Sequence, residues 1–135
     1  MSFVWTDDLL TRVDDIDEQH KEIFVRLNAL LDALARQKGK EEIGGFLDFL
    51  EEFVAYHFAA EEREMTGHKY PGLADHEKEH EEFKKRICAL KRDFNESGAS
   101  TQLVLMTVRS SCEWLVGHIK KTDKAMAGFL KQKAV

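Results

Sequence analysis

Five of the six histidines in this 135-residue chain, with two carboxylates, fall at spacings that let helices turn them toward one interior point. They are His20, then His57 with Glu61 in HFAAE, His76 with His80 in HEKEH, and His118 with Asp123 in HIKKTD. Residues four apart share one face of a helix, one turn above another. His57/Glu61 and His76/His80 are such pairs. His118 and Asp123 stand five apart, a step that swings the second about 140° from the first on an ideal helix. A π-turn, or a loosened helix end, would bring them back into line, and π-bulges concentrate at functional sites. Imidazole and carboxylate groups are costly to bury unless a charge compensates them. Seven on core-facing positions of four successive helices therefore predict a metal site that holds two ions. Imidazole suits zinc, copper, iron and nickel alike. Two ions that share oxygen ligands and keep a vacancy favour iron, since structural zinc is usually closed and tetrahedral.

The elements that must carry these groups are helices. Apolar residues recur every three to four positions and nowhere alternate for a strand's length. The first helix is expected to start near Asp15, where Asp15 and Glu18 resemble a capping pair, and to close at Gly39. Its stripe is His20, Ile23, Phe24, Leu27, Leu31 and Leu34. A second stripe runs from Ile43 through Phe53, His57 and Glu61 to Met65, weakened at its start by Gly44 and Gly45. Pro71 suits the first turn of a third helix, whose stripe Leu73, His76, His80, Phe83, Ile87, Leu90, Phe94 has a bundle seam's register. Ser100 or Thr101 would cap the fourth helix, which carries Val104, Val108, Ser111, Trp114, Leu115, His118, Ile119, Met126 and Phe129 inward. The expectation is an all-α, up-down-up-down four-helix bundle in one domain over 1–135. An arm over about 1–14, with Phe3, Val4 and Trp5 packed along the bundle, precedes helices near 15–38, 41–65, 71–94 and 101–130.

Composition narrows the classes. With 43% hydrophobic and 33% charged residues the chain reads as a globular protein, and 135 residues suffice for one real core. A net charge of −5 with no basic stripe gives no case for nucleic acid. No apolar run approaches the roughly 20 residues of a membrane span, and the N-terminus lacks a signal peptide's pattern. Cys88 and Cys112 are expected as reduced thiols beside the seam, in a cytoplasmic setting.

The pattern His20 … His57-x3-Glu61 … His76-x3-His80 … His118-x4-Asp123 resembles that of the hemerythrins in their bacterial single-domain form. The surrounding words match as well: DEQHKEIF, HFAAEEREM, YPGLADHEKEHEEF and WLVGHIKKTDKAM. The resemblance runs from Trp5 to about Met126 and gives every family ligand a counterpart. It implies a non-haem, oxo- or hydroxo-bridged pair of iron ions that binds dioxygen reversibly. By position His76, His80 and His118 would hold one iron, His20 and His57 the other, and Glu61 and Asp123 would bridge. The iron with two histidines would keep the open position. Ile23, Phe58, Trp114, Leu115 and Ile119 fall where the family has an apolar oxygen pocket. An oxygen-consuming enzyme is a candidate recipient; the oligomeric state is not given by the pattern.

Four other readings compete. His76-Glu77-Lys78-Glu79-His80 matches the H-E-x-x-H helix of zinc proteases, but Phe83 and Arg86 stand where the extended motif needs glycine and histidine. Ferritin-like di-iron enzymes use Glu-x-x-His and more carboxylate. Here nitrogen donors outnumber carboxylates, which favours reversible binding over oxidation. An enzyme or scavenger acting on peroxide or nitric oxide at the same centre is the alternative, followed by an oxygen or iron sensor. His68, in a connector with no partner at ligand spacing, is expected at the surface, and Glu79 is expected to be an indifferent surface residue.

Overall fold

A computed structural model describes residues 5–133 of the chain, with the side chain of Lys133 outside that description. The expected packing of Phe3 and Val4 thus lies outside the described residues. Helices α1 (Asp14–Ala35), α2 (Gly39–Gly67), α3 (Leu73–Ser97) and α4 (Thr101–Gly117) follow one another with short connectors. The last continues through a π-helical segment, His118–Asp123, into α5 (Lys124–Lys133). α1 packs on α2 and α4, and α3 packs on α2 and α4, which closes an up-down-up-down four-helix bundle.

Several helix ends differ from expectation, each for a local reason. α1 begins at Asp14, and neither Asp15 nor Glu18 caps it. Instead the buried Asp17 turns its carboxylate back on the arm. Oδ1 accepts from the Thr11 amide and hydroxyl, both at 2.8 Å, and Oδ2 accepts from the Arg12 amide at 3.0 Å. Gly39 does not close α1 but opens α2. The turn is made by Gln37 at φ 62°, with the Lys38 amide donating to the Ala33 carbonyl at 2.7 Å. Pro71 stands in the turn before α3, which starts two residues later at Leu73. Ser100 caps α4: its Oγ accepts from the Leu103 amide at 3.0 Å.

Two apolar clusters flank the histidines. The larger, including Ile23, Leu27, Ile43, Leu47, Leu50, Phe83, Ile87, Val104 and Val108, fills most of the bundle. A smaller one, Ile16, Met65, Met126 and Leu130, closes the near end. Each fully buried aliphatic side chain contributes roughly 1.5–3 kcal/mol of transfer free energy. The polar site therefore sits inside a scaffold held from both sides. The arm joins the larger cluster through the buried Leu9, and Trp5 meets Phe24 edge-on at 5.4 Å.

Candidate metal centre

All seven predicted groups lie in the interior, and none exposes more than 4% of its surface. His20 sits in the second turn of α1, His57 and Glu61 near the end of α2, and His76 and His80 at the start of α3. His118 and Asp123 bound the π-helical segment. The wider turn does what the five-residue spacing required, so that His118 Nε2 and Asp123 Oδ1 meet at 3.1 Å. A plain α-helix would have pointed one of the two elsewhere.

The carboxylates divide the imidazoles into two sets. Glu61 Oε1 lies 3.3 Å from His76 Nε2 and 3.0 Å from His80 Nε2. Asp123 Oδ1 lies 3.1 Å from the Nε2 atoms of both His76 and His118. The second oxygens face the other way. Glu61 Oε2 is 3.1 Å from His57 Nε2, and Asp123 Oδ2 is 3.1 Å from His20 Nε2. Two ligand-like groups result, one of His76, His80, His118 with both carboxylates and one of His20, His57 with both carboxylates. Within each, the donor atoms fall within 4.8 Å of one another.

These contacts are short but mostly not hydrogen bonds. Glu61 Oε2, both oxygens of Asp123, His76 Nε2 and His118 Nε2 are buried without a hydrogen-bond partner. Orphaned buried donor atoms on this scale are what a cation would satisfy, and the nitrogen-and-carboxylate set fits a transition-metal pair.

The electrostatics agree. Burial alone would depress His20 and His76, yet Asp123 and Glu61 beside them raise each to about 9. His118 is also raised against burial, mainly by Asp123. Burial pushes Glu61 up, and the imidazoles of His57, His20 and His76 reverse this and hold it well below its ordinary range. Asp123 is likewise lowered, against burial and the charge of Glu61, by His118, His20 and His76. Buried carboxylates kept ionised this way are ready cation ligands.

Outside this set stand three residues that sequence reasoning did not assign. His80 Nδ1 donates to Glu62 Oε2 at 2.7 Å. His118 Nδ1 donates to Glu79 Oε1 at 2.8 Å, and the same carboxylate accepts from the Thr122 hydroxyl at 2.7 and 2.9 Å. His57 Nδ1 donates to Gln19 Oε1. Each acceptor fixes the proton on Nδ1 and leaves Nε2 free to face inward. Glu79 is therefore not an indifferent surface residue, since it binds α3 to the π-helical segment. A signal was available: Gln19, Glu62 and Glu79 each adjoin a core-facing polar residue in sequence. One residue turns a helix by about 100°, which puts such a neighbour on the flank toward the next helix.

Of the five residues expected to line an apolar pocket, Ile23, Phe58, Leu115 and Ile119 are buried and Trp114 is half-buried. Phe58 stacks on His80 at 3.8 Å, Trp114 on His118 at 4.3 Å, and Phe83 on Trp114 at 4.3 Å. His68 is exposed, as expected, with Nδ1 2.9 Å from the Glu64 carbonyl oxygen. Glu77 is exposed too, which leaves the protease motif without a base in the site. Both cysteines are free; Cys112 is buried but Cys88 is exposed, contrary to its expected place beside the seam.

A four-helix bundle that gathers five imidazoles around two shared carboxylates defines a class, the non-haem metal proteins with a nitrogen-rich paired site. Comparison with known proteins narrows it. Residues 11–130 match the Hemerythrin HHE cation binding domain, and the chain belongs to the hemerythrin family. It is 35% identical to a bacteriohemerythrin of Stenotrophomonas maltophilia over 128 residues, covering 95% of this chain and 81% of that one. It is 38% identical to a bacteriohemerythrin of Methylococcus capsulatus over 114 residues, 84% of this chain and 85% of that one. A crystal structure of wild-type hemerythrin superposes with a TM-score of 0.81 at 35% identity, over 95% of this chain and 97% of that one.

Proposed function

We propose that this protein binds dioxygen reversibly at a non-haem di-iron centre and acts as a carrier, store or delivery protein without turnover. The observation that carries this reading is the division of the carboxylate oxygens, one of each toward three imidazoles and the other toward two. His76, His80 and His118 would hold one ion, His20 and His57 the other, and Glu61 and Asp123 would join them. Bound ferrous iron supplies the electrons that make reversible capture of dioxygen possible. The two-histidine set offers one protein nitrogen fewer, so the ligand's place belongs on that side. Glu62, Glu79 and Gln19 hold protons on Nδ1 of His80, His118 and His57, which keeps the opposite nitrogens as donors. Ile23, Phe58, Trp114, Leu115 and Ile119 exclude water and slow irreversible oxidation. A cytoplasmic setting is supported by the exposed free thiol of Cys88. Among the described residues no helix is long and apolar enough to cross a membrane.

The test is the visible spectrum of iron-loaded, anaerobically reduced protein before oxygen, after oxygen and after argon sparging. A charge-transfer band that appears and then disappears is the expected result. Direct passage to a stable ferric spectrum would support redox turnover on peroxide or nitric oxide instead. Absence of any iron-dependent spectrum would refute the di-iron reading.

A further inference from the structure

A groove of about 760 Å³ runs between α1, α2 and the end of α5, and its lining includes Gln19, Ala60 and Glu61. Its lining thus reaches the site itself. Glu61 is 1% exposed and its Oε2, the oxygen on the two-histidine side, has no hydrogen-bond partner. Gln19 is the residue that accepts from His57. On the three-histidine side, by contrast, the Phe58 and Trp114 rings lie flat on His80 and His118, with Phe83 stacked behind Trp114.

We propose that this groove is the passage by which an aquated divalent cation reaches the site, kept open by the small side chain of Ala60. The inference rests on the metal-centre reading above. The outer lining carries Asp15, Glu18 and Glu64 together with Arg12, Arg63 and Lys131, so its formal charges balance. A balanced rim gives a cation no strong resting place. At the inner end the unpartnered Glu61 Oε2 offers a buried donor atom that the rim does not, so a cation is retained there rather than outside. Oxygen groups suit the hard, hydrated ion at the start of this path, and imidazole suits it at the end.

The test is anaerobic stopped-flow uptake of cobalt(II) by the metal-free full chain, followed by its ligand-field bands and by final metal content. Ala60→Leu narrows the groove without replacing a ligand and should slow uptake about tenfold, equivalent to about 1.4 kcal/mol in barrier. Final stoichiometry and band positions should match wild type. Ala89→Leu, on the exposed face of α3, should load at the wild-type rate. The double variant Glu18→Lys/Glu64→Lys, at two exposed positions, should slow uptake by about tenfold at low ionic strength and recover in salt. Uptake by Ala60→Leu at the wild-type rate would overturn the passage. If that variant fails to fold, a salt-independent, wild-type rate in the double variant overturns it instead. A wild-type chain that takes up no cobalt would refute the metal-centre reading beneath it.

Discussion

The two halves of the site share both carboxylates yet are built to different standards. On the α3–α4 side, two of three imidazoles are tied at Nδ1 by ionisable carboxylates, Glu62 and Glu79, and rings lie flat on His80 and His118. On the α1–α2 side, His57 is tied by the neutral amide of Gln19, and His20 Nδ1 has no partner. Phe53 lies 5.6 Å from His57, a looser stack than that on His80. A carboxylate behind an imidazole raises its donor strength more than an amide does. The first half is thus a rigid, strongly donating holder, and the second is the softer half, nearer the groove. With the two ions proposed above, such a pair of halves would give one ion a structural task and leave the other free for ligand exchange.

The comparison breaks most completely where the halves are joined. Asp123→Ala removes one oxygen from each set at once and leaves His20, His76 and His118 without their shared anion. Metal content should fall from a pair to a single ion or none, read by elemental analysis of protein loaded with excess iron. A variant that keeps a full pair would show that Asp123 is no bridge.

Next in size is the contrast between the residues behind the imidazoles. Outer partners of metal-bound histidines typically carry about 10–100-fold in metal affinity. Glu79→Gln should weaken the tighter ion by that range, and Gln19→Leu should weaken the other ion by less. Competition titration with a chelator resolves both. Equal losses, or a larger one for Gln19→Leu, would erase the asymmetry.

Without metal the halves become more alike, because imidazoles on both sides pair with Asp123 and Glu61. His20 and His76 are raised from 6.5 to about 9, so their contribution to the metal-free fold is complete below about pH 6.5. It is lost as pH rises through 9. Glu61 and Asp123 are lowered, so their contribution is present above their ordinary values of 4.5 and 3.8 and fades on acidification. The melting temperature of the metal-free chain should therefore be highest near pH 5–6.5 and decline toward pH 9. Metal-loaded protein should lack the alkaline decline, since bound imidazoles are already neutral. A metal-free melting temperature that rises between pH 7 and 9 would contradict the imidazolium–carboxylate pairing.

What the sequence made legible was whatever a single helix decides. Four-residue spacing put His57 with Glu61 and His76 with His80, and the five-residue misfit of His118 and Asp123 left a π-turn or a loosened helix end, of which the π-turn is found. The partners of those histidines were not legible, because each is made between helices, 18 to 39 positions apart in the chain. The cap of α1 was not legible for a similar reason. Asp15 and Glu18 have the capping pattern, but the carboxylate used is Asp17, which turns back to residues five and six positions earlier. Local pattern names the donors; tertiary contact chooses which neighbour steadies them.

The smallest expected effect isolates the π-turn itself. Thr122 lies within the segment, on the turn between His118 and Asp123, and its hydroxyl donates to the Glu79 carboxylate that also holds His118. Thr122→Val keeps the shape and removes the donor. The loss should be about 1 kcal/mol in metal-free stability, the scale of one hydrogen bond, measured by urea unfolding. Thr122→Ser restores the hydroxyl and should recover most of it. If the valine variant loses stability alone, the bond is a simple tie between α3 and the π-helical segment. If it also weakens metal retention, while Glu62→Gln leaves the segment's amide exchange unchanged, then the bond sets the register that aims His118 and Asp123 together. The second outcome is expected, because the wide turn lacks the regular hydrogen-bond ladder that keeps an α-helix in register, and Glu79 is the cross-helix carboxylate that grips two residues of the segment.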